Sequence, residues 1–358
     1  MKNEYVIGAI VTGLVVLSLG VIFLSPNEQA MKLSNSDAAA GTEKAVPFVE
    51  IVNPSGFVNT DNKQIKIADY VGKQVILLDV MTYSCINCQR TFPYVNAWYE
   101  KYKDDGLVVI GIHTPEFAFE KDKHNVEKAF EEFGIKFPVV LDNDYATWQA
   151  LGNKYWPRKY LIDIHGNIVY DHIGEGAYTE TEEKIQELLR ERATVLGTSL
   201  NTEDELVVSG IEEVKTSTQS PETYFGSLRN EHLANGIIGK TGLHVGAFPP
   251  NIQPNALYLG GSWDITKEYA EAREGAVVKY RYNAKEVYIV AESESGGVIE
   301  VWQDNALVEE EAGADAPASH AEIRASRLYK LIKNPEAGEH ILELRVTPGV
   351  KLFAFTFG

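Results

Sequence analysis

Two cysteines, the only ones in 358 residues, stand three apart as Cys85-Ile86-Asn87-Cys88, behind the apolar run Val75 to Val80 and ahead of a stretch patterned as helix. No other feature constrains the fold as strongly. A buried strand that turns into a helix at a cysteine puts the first sulfur at the helix N-terminus, where unpaired backbone N–H groups and the macrodipole favour an anion. Cys85 is therefore expected to ionise more readily than a free thiol. Cys88, at i+3, lies on the same side and can close a disulfide. The kinetic gain is small: a thiol lowered from about 8.5 to about 7 is roughly 15-fold more ionised at pH 7 but about 5-fold less nucleophilic. The larger consequence is thermodynamic, because stabilising the thiolate stabilises the reduced form and sets the redox poise.

The rest of the chain divides into five segments. Residues 1–24 hold a polar start and then an uncharged apolar stretch, Val6 to Leu24. As a helix this stretch spans roughly 28 Å, against a hydrocarbon thickness of about 30 Å, and is expected to cross a membrane once. A cleaved signal peptide has a shorter apolar core with a small-residue site close behind it; the nearest such site here, Ala38 to Ala40, is far downstream. The segment reads as an uncleaved anchor, and Lys2 orients the bulk of the chain outside the cytoplasm. Residues 25–45 are polar, without apolar periodicity, and read as a flexible linker.

From Val46 strands and helices alternate. Phe48 to Val52 and Gln64 to Ile67 flank a Pro-Ser-Gly turn and suggest a hairpin. Val75 to Val80 and Leu107 to Ile112 read as strands buried on both faces, with a helix between them to about Tyr102, stopped at Asp104-Asp105-Gly106. A helix from Asn125 to Phe133, an extended Phe137 to Leu141, a helical turn over Tyr145 to Leu151, strands at Tyr160–Ile164 and Ile168–Ile173, and a helix from Thr179 to Leu196 complete a domain over 46–196. Residues 197–222 are polar and read as a linker. Residues 223–358 carry short alternating strands with turn signals: Leu257–Leu259, Val277–Tyr282, Glu286–Ala291, Val298–Trp302, Ile323–Leu328, His340–Val346 and Lys351–Phe357. That pattern favours an all-β sandwich. The net charge of −18, with no basic run, argues against nucleic acid as a partner.

Asp79, six residues before Cys85, Pro93, five after Cys88, and Trp156-Pro157-Arg158-Lys159-Tyr160 have spacings that resemble the thioredoxin superfamily. The strand and helix order, with extra material before Pro157, looks like its TlpA-like, redoxin branch. The stretches Thr82 to Arg90, His113-Thr114-Pro115-Glu116-Phe117 and Tyr155 to Asp163 resemble the extracytoplasmic half of DipZ-type thiol:disulfide interchange proteins. In those proteins the thioredoxin-like part is followed by a β-sandwich similar to a carbohydrate-binding module. Arg327-Leu328-Tyr329 and Phe353 to Gly358 look like that module's closing strands.

The resemblance implies an α/β thioredoxin-like fold followed by a jelly-roll-like all-β sandwich, to which the apolar stretch of residues 1–24 adds one N-terminal transmembrane helix. The resemblance implies a thiol-disulfide oxidoreductase working on protein thiols or disulfides without a cofactor beyond the Cys85–Cys88 couple, and the N-terminal stretch places it at the cell membrane, single-pass. Cys85 is then the attacking thiol, Cys88 resolves, and Asp79 exchanges a proton with Cys88. Pro157 is in cis facing the sulfurs, and Trp156 and Tyr83 hold the partner. Three departures stand out: one span where DipZ-type proteins have a multi-helix membrane domain, so that any membrane electron donor is a separate protein; Ile86-Asn87 where thioredoxin has Gly-Pro; and Thr91 where many TlpA-like proteins are acidic.

Other chemistries match parts of the sequence. Thr82-x-x-Cys85 matches the Thr-x-x-Cys element of peroxiredoxins, with Arg158 as their arginine, although Leu78 stands where that family has proline. A metal site would need His113, His165 or His172, and no second Cys-x-x-Cys or close His pair exists, so no metal is expected. Trp263, Trp302, Tyr258 and Tyr288 are candidates to stack on glycan, although aromatics at alternating strand positions are more often core. Arg90 reads as a solvated helix charge.

Overall fold

Strand β3 (Val75–Met81) is buried at all seven positions, and its period of two divides the first lobe. Val75, Leu77 and Met81 face a core shared with helices α1 (Ile86–Tyr102), α2 (Lys123–Glu132) and α4 (Tyr178–Leu196), through residues such as Phe92, Trp98, Phe130 and Leu189. Ile76, Leu78 and Val80 face a second core with Ile67, Ile110, Tyr160 and Trp148. The computed structural model describes residues 46–61, 63–201, 205–211, 213–214 and 218–358. The expected membrane anchor (1–24) and linker (25–45) lie outside the described residues. Among those described, no helix is long and apolar enough to cross a membrane.

The remaining strands of this lobe are β1 (Val46–Pro47), β2 (Gly56–Val58), β4 (Leu107–His113), β5 (Val139–Leu141), β6 (Arg158–Ile162) and β7 (Asn167–Ile173), with α3 at Ala146–Ala150. The sheet order is β1-β7-β6-β3-β4-β5-β2. β3, β4 and β5 run parallel, and β6 joins β3 antiparallel. Gly106 ends the first helical stretch in the left-handed region, φ 102°, with the Arg192 guanidinium packed where a side chain would stand.

The expected hairpin of Phe48–Val52 with Gln64–Ile67 does not form. Phe48 and Ile51 pack on the second core without a ladder. The Glu50 carboxylate instead accepts from the Ile67 and Ala68 amides at 2.8 and 3.1 Å. Paired strands lie to either side: β1 on β7 and β2 on β5. The polar connector after α4 is also less free than its composition implies, since Leu206, Val207, Val208 and Ile211 pack on the first core. Buried Glu182 accepts from the amides of Val207 and Val208.

The second lobe is all-β: β8 (Thr223–Tyr224), β9 (Gly242–Gly246), β10 (Leu257–Ile265), β11 (Ala270–Ala272), β12 (Val277–Glu292), β13 (Gly297–Gln303), β14 (Ala306–Leu307), β15 (His320–Ile323), β16 (Arg327–Val346) and β17 (Lys351–Phe357). Val277–Tyr282 and Glu286–Ala291, expected as two strands, are one strand, β12, with a bulge between Ala284 and Glu286. Its first half pairs β10 and its second half pairs β17, while β11 bridges β10 and β17, so the sheet closes on itself. Three of the four glycan-stacking candidates are core. Trp263, Tyr258 and Tyr288 are buried, and Arg345 lies 4.2 Å over the ring of Trp302.

The two lobes belong to one compact unit. Ile86, Phe117 and Phe119 of the first lobe join Tyr288, Leu328 and Phe353 of the second in a shared apolar cluster.

Candidate active site

Cys85 is the N-cap of α1, in extended conformation, and its sulfur accepts from the Cys88 amide at 3.4 Å. The β3 strand delivers the chain to that point, and the loop Thr82–Ser84 sets its direction. Cys85 is partly exposed and Cys88 is buried. Burial first, then the neighbouring Cys85 and the Asp79 charge, push the Cys88 thiol up. The pair is therefore asymmetric: one sulfur at the surface, one behind it in the core.

Asp79 shares the β3 face of Leu77 and Met81, which is the face under α1. It has no exposed surface, and neither carboxylate oxygen has a hydrogen-bond partner among the described residues. Desolvation pushes it up to about 6 from 3.8, against the opposing pull of Lys159. Lys159, opposite it on β6, is also fully buried, and burial lowers its ammonium despite Asp79. Its Nζ donates to the Gly174 carbonyl at 3.3 Å. A lysine alternating with the core residue Leu161 is a charge on a buried face, and such a charge calls for a counter-charge.

The Trp156–Pro157 peptide is cis. The Trp156 indole donates to the Thr114 carbonyl at 3.0 Å and lines the same cavity as Cys85. Tyr83, expected to hold the partner, is 2% exposed. It stacks on His113, and its hydroxyl donates to the Ser326 carbonyl of the second lobe at 3.0 Å. It joins the lobes instead of facing a partner. Arg90 is not a solvated charge either: its side chain is 7% exposed and lies between Glu175 at 3.5 Å and Glu286 at 3.6 Å, donating to the Tyr288 hydroxyl at 3.2 Å.

The residues of the peroxidase reading are engaged elsewhere. Arg158 is paired with Asp171 across the β6–β7 ladder. The Thr82 hydroxyl donates to Glu120 at 2.5 Å, and the His113 ring lies 3.4 Å from it. Burial lowers His113 to about 3. His165 lies beside Glu191, and His172 beside the Glu175 carbonyl.

Glu120 is a site residue that the sequence did not single out. Fully buried, its Oε1 accepts from the Thr82 hydroxyl and from the Ser84 amide and hydroxyl, at 2.5, 3.2 and 2.6 Å. Its Oε2 accepts from the amides of Glu116 and Phe117, at 2.5 and 3.0 Å. One carboxylate thus ties the loop in front of Cys85 to the loop after β4. The latter loop in turn grips the second lobe: Glu116 pairs with Arg229 at 2.7 Å, and the Ala118 amide donates to Glu268 at 3.0 Å.

A cavity of about 460 Å³ opens where the lobes meet. Cys85, Arg90 and Trp156 line it from the first lobe, and Glu222, Tyr224 and Arg229 from the second. Its size is that of a small-ligand cleft or a short peptide segment. The second lobe thus forms one wall of the space in front of the reactive thiol, a feature that strand patterns alone could not reveal.

Residues 40–189 match the Redoxin family, and residues 220–358 match a family described as thioredoxin like C-terminal domain. Protein DipZ of Mycobacterium tuberculosis is 36% identical over 345 residues, covering 96% of this chain and 47% of DipZ. The chain thus spans about half the length of that relative. Thiol-disulfide oxidoreductase ResA of Geobacillus thermodenitrificans is 34% identical over 129 residues, 36% of this chain and 70% of ResA. Among solved structures, a thiol:disulfide interchange protein of the thioredoxin family from Chlorobium tepidum aligns with a TM-score of 0.36 at 17% identity, covering 42% of this chain and 99% of its own. By its sequence relatives and by the matches to both of its lobes, the chain belongs to the thioredoxin superfamily, in its redoxin branch, and is DipZ-like.

Proposed function

We propose that this chain is a thiol-disulfide oxidoreductase that exchanges disulfides with protein partners outside the cytoplasm, held at the membrane by the apolar stretch in residues 1–24. The observation that carries the reading is the asymmetric pair: Cys85 at the helix N-cap facing a cavity, Cys88 buried behind it beside Asp79. That division suits two-step exchange.

Cys85 thiolate attacks one sulfur of a partner disulfide. The partner S–S bond breaks, a Cys85–partner disulfide forms, and the other partner sulfur leaves as a thiol once protonated. Cys88 then gives its proton to the Asp79 carboxylate and attacks Cys85. The mixed disulfide breaks, the Cys85–Cys88 disulfide forms, and the second partner thiol is released. Two electrons pass to the partner, and the reverse sequence oxidises it. The Asp79–Lys159 pair supports this role, since a carboxylate held near 6 can both take and return a proton around neutral pH. Pro157, with the Trp156 backbone, positions the partner segment. A separate membrane protein supplies or removes the electrons. The jelly-roll-like second lobe narrows what can approach Cys85, and the buried state of Trp263, Tyr258 and Tyr288 favours this role over glycan stacking.

Trapping tests the reading. Cys88→Ser is expected to accumulate a mixed disulfide between Cys85 and its partner, seen on non-reducing gels and absent from Cys85→Ser. Equal, mild effects of the two substitutions on disulfide exchange would refute it.

A further inference from the structure

Tyr224 presents one hydroxyl to two carboxylates. Its oxygen lies 2.8 Å from Glu116 Oε1 and 2.6 Å from Glu222 Oε2. A phenol carries one proton and can donate to only one of them. With both carboxylates ionised, the second contact would set oxygen against oxygen with no proton between. The arrangement closes when one carboxyl is itself protonated and donates to the tyrosine oxygen.

The other partners decide which one. Glu116 Oε1 also accepts from the Arg229 guanidinium at 2.7 Å, and that cation lies 3.6 Å over the Tyr224 ring. Glu116 is thus the carboxylate paired with a cation. Among the described residues, the remaining hydrogen bond to Glu222 comes from the Thr356 hydroxyl at 3.3 Å. Burial, and then the Glu116 charge, push the Glu222 carboxyl up, in agreement with the proton count. Neighbouring protein crowds this carboxyl, yet solvent reaches it from the cavity. The other charged groups on the cavity wall are Arg90 and Glu175, which pair with each other, and Lys154.

We propose that Glu222, supplied by the second lobe to the cavity that holds Cys85, is the acid that protonates the sulfur expelled from a partner disulfide. The proposal rests on the exchange reading above. As Cys85 thiolate bonds to one partner sulfur and the partner S–S bond breaks, the departing sulfur takes the electron pair and the Glu222 proton, leaving as a neutral thiol. Glu222 becomes a carboxylate and regains a proton from cavity water, which restores its hydrogen bond to the Tyr224 oxygen. In the reverse direction the carboxylate removes the proton of an incoming partner thiol. Aliphatic thiolates are poor leaving groups compared with thiols of low pKa, so proton delivery matters most for aliphatic disulfides such as cystine bridges.

The test compares two uncharged small disulfides on the full chain: hydroxyethyl disulfide, whose leaving thiol is aliphatic, and dipyridyl disulfide, whose leaving group departs without a proton from the protein. In single-turnover oxidation of the reduced protein at pH 7, Glu222→Gln is expected to slow the aliphatic reaction by about 10- to 100-fold and leave the dipyridyl reaction within about twofold. Glu222→Asp is expected to recover part of the aliphatic rate. The retained dipyridyl reaction also reports that the variant is folded. Unchanged rates with both disulfides, or an equal loss with both, would overturn the assignment while leaving the exchange reading in place. A parent protein inert towards both would overturn the exchange reading itself.

Discussion

Asp79 on β3 and Lys159 on β6 stand directly opposite each other in an antiparallel ladder, and neither side chain reaches solvent. Both sit on the strand faces turned towards α1, where Leu77 and Leu161 are core residues. Burying two charges without a hydrogen bond to the carboxylate costs stability, which the mutual attraction only partly offsets. The pair is better explained as chemistry at Cys88 than as a stabilising bridge.

The cost gives the first prediction. Folding raises the Asp79 carboxyl from 3.8 to about 6, so the folded state binds its proton more tightly than the unfolded state. That contribution to stability is fully present below about pH 4 and is lost as pH rises through about 6. Above that range the ionised group costs about 3 kcal/mol relative to an unperturbed carboxyl. Asp79→Asn removes this cost, and the pull of Lys159 is already contained in the value near 6, so the gain at pH 8 is expected to be about 3 kcal/mol, shrinking to nothing near pH 4. Urea unfolding at the two pH values measures it. A variant no more stable than the parent at pH 8 would show that Lys159 compensates the carboxylate fully.

Lys159 gives the second. Its cation is the group that holds Asp79 down against desolvation. Lys159→Met is expected to move the Asp79 titration above 6 and, with it, the pH midpoint at which Cys88 resolves a mixed disulfide. Single-turnover resolution rates between about pH 5 and pH 9 report the midpoint. A midpoint that stays in place would remove Lys159 from the chemistry.

Much of this was visible beforehand, for physical reasons. The continuous apolar run of β3 could only be a strand buried on both faces, the cysteines could only sit at its exit, and Gly106 marked the end of the helical stretch. Strand β17 begins and ends at the residues that the alternation indicated. What stayed hidden depends on which surface of one lobe meets the other. Arg90 and Tyr83 look like exposed polar residues until Glu286 and Ser326 of the second lobe are brought against them. Glu222 reads in the sequence as the end of a polar linker, and nothing local to it signals that Glu116, more than a hundred residues earlier, shares its tyrosine. Lys159 was legible in principle: two residues before Leu161, it shares that residue's face of a strand that reads as buried, where a charge calls for a counter-charge, and Asp79 stands opposite it.

A third prediction concerns the brace in front of Cys85. Both oxygens of Glu120 accept hydrogen bonds, three on one and two on the other. Glu120→Gln must turn its amide N–H₂ towards donors in either orientation. It is expected to cost about 2–4 kcal/mol, because buried donors lose their acceptor. The loop Thr82–Ser84 then loosens, and the Cys85 rate with dipyridyl disulfide falls. Thermal unfolding and that rate should change together, and a stable, fully reactive variant would show that the loop is held by other contacts.

The last prediction concerns the join between the lobes. Arg90 lies two residues beyond Cys88 on α1, yet its partners Glu286 and Tyr288 are on β12. The guanidinium is 7% exposed and Glu286 is 17% exposed, so salt screens this pair less than a surface pair. Arg90→Ala leaves Glu175 and Glu286 without their shared cation inside the interface, where truncating one partner of a desolvated pair costs about 3–5 kcal/mol. Because Phe117, Phe119 and Phe353 still pack across the join, the lobes are expected to stay folded but to lose their common unfolding transition. Calorimetry should show one transition in the parent and two in Arg90→Ala, with Arg90→Lys intermediate, since a lysine restores the charge but not the fork that reaches both carboxylates. A single transition at an unchanged temperature in Arg90→Ala would mean that the aromatic cluster alone couples the lobes.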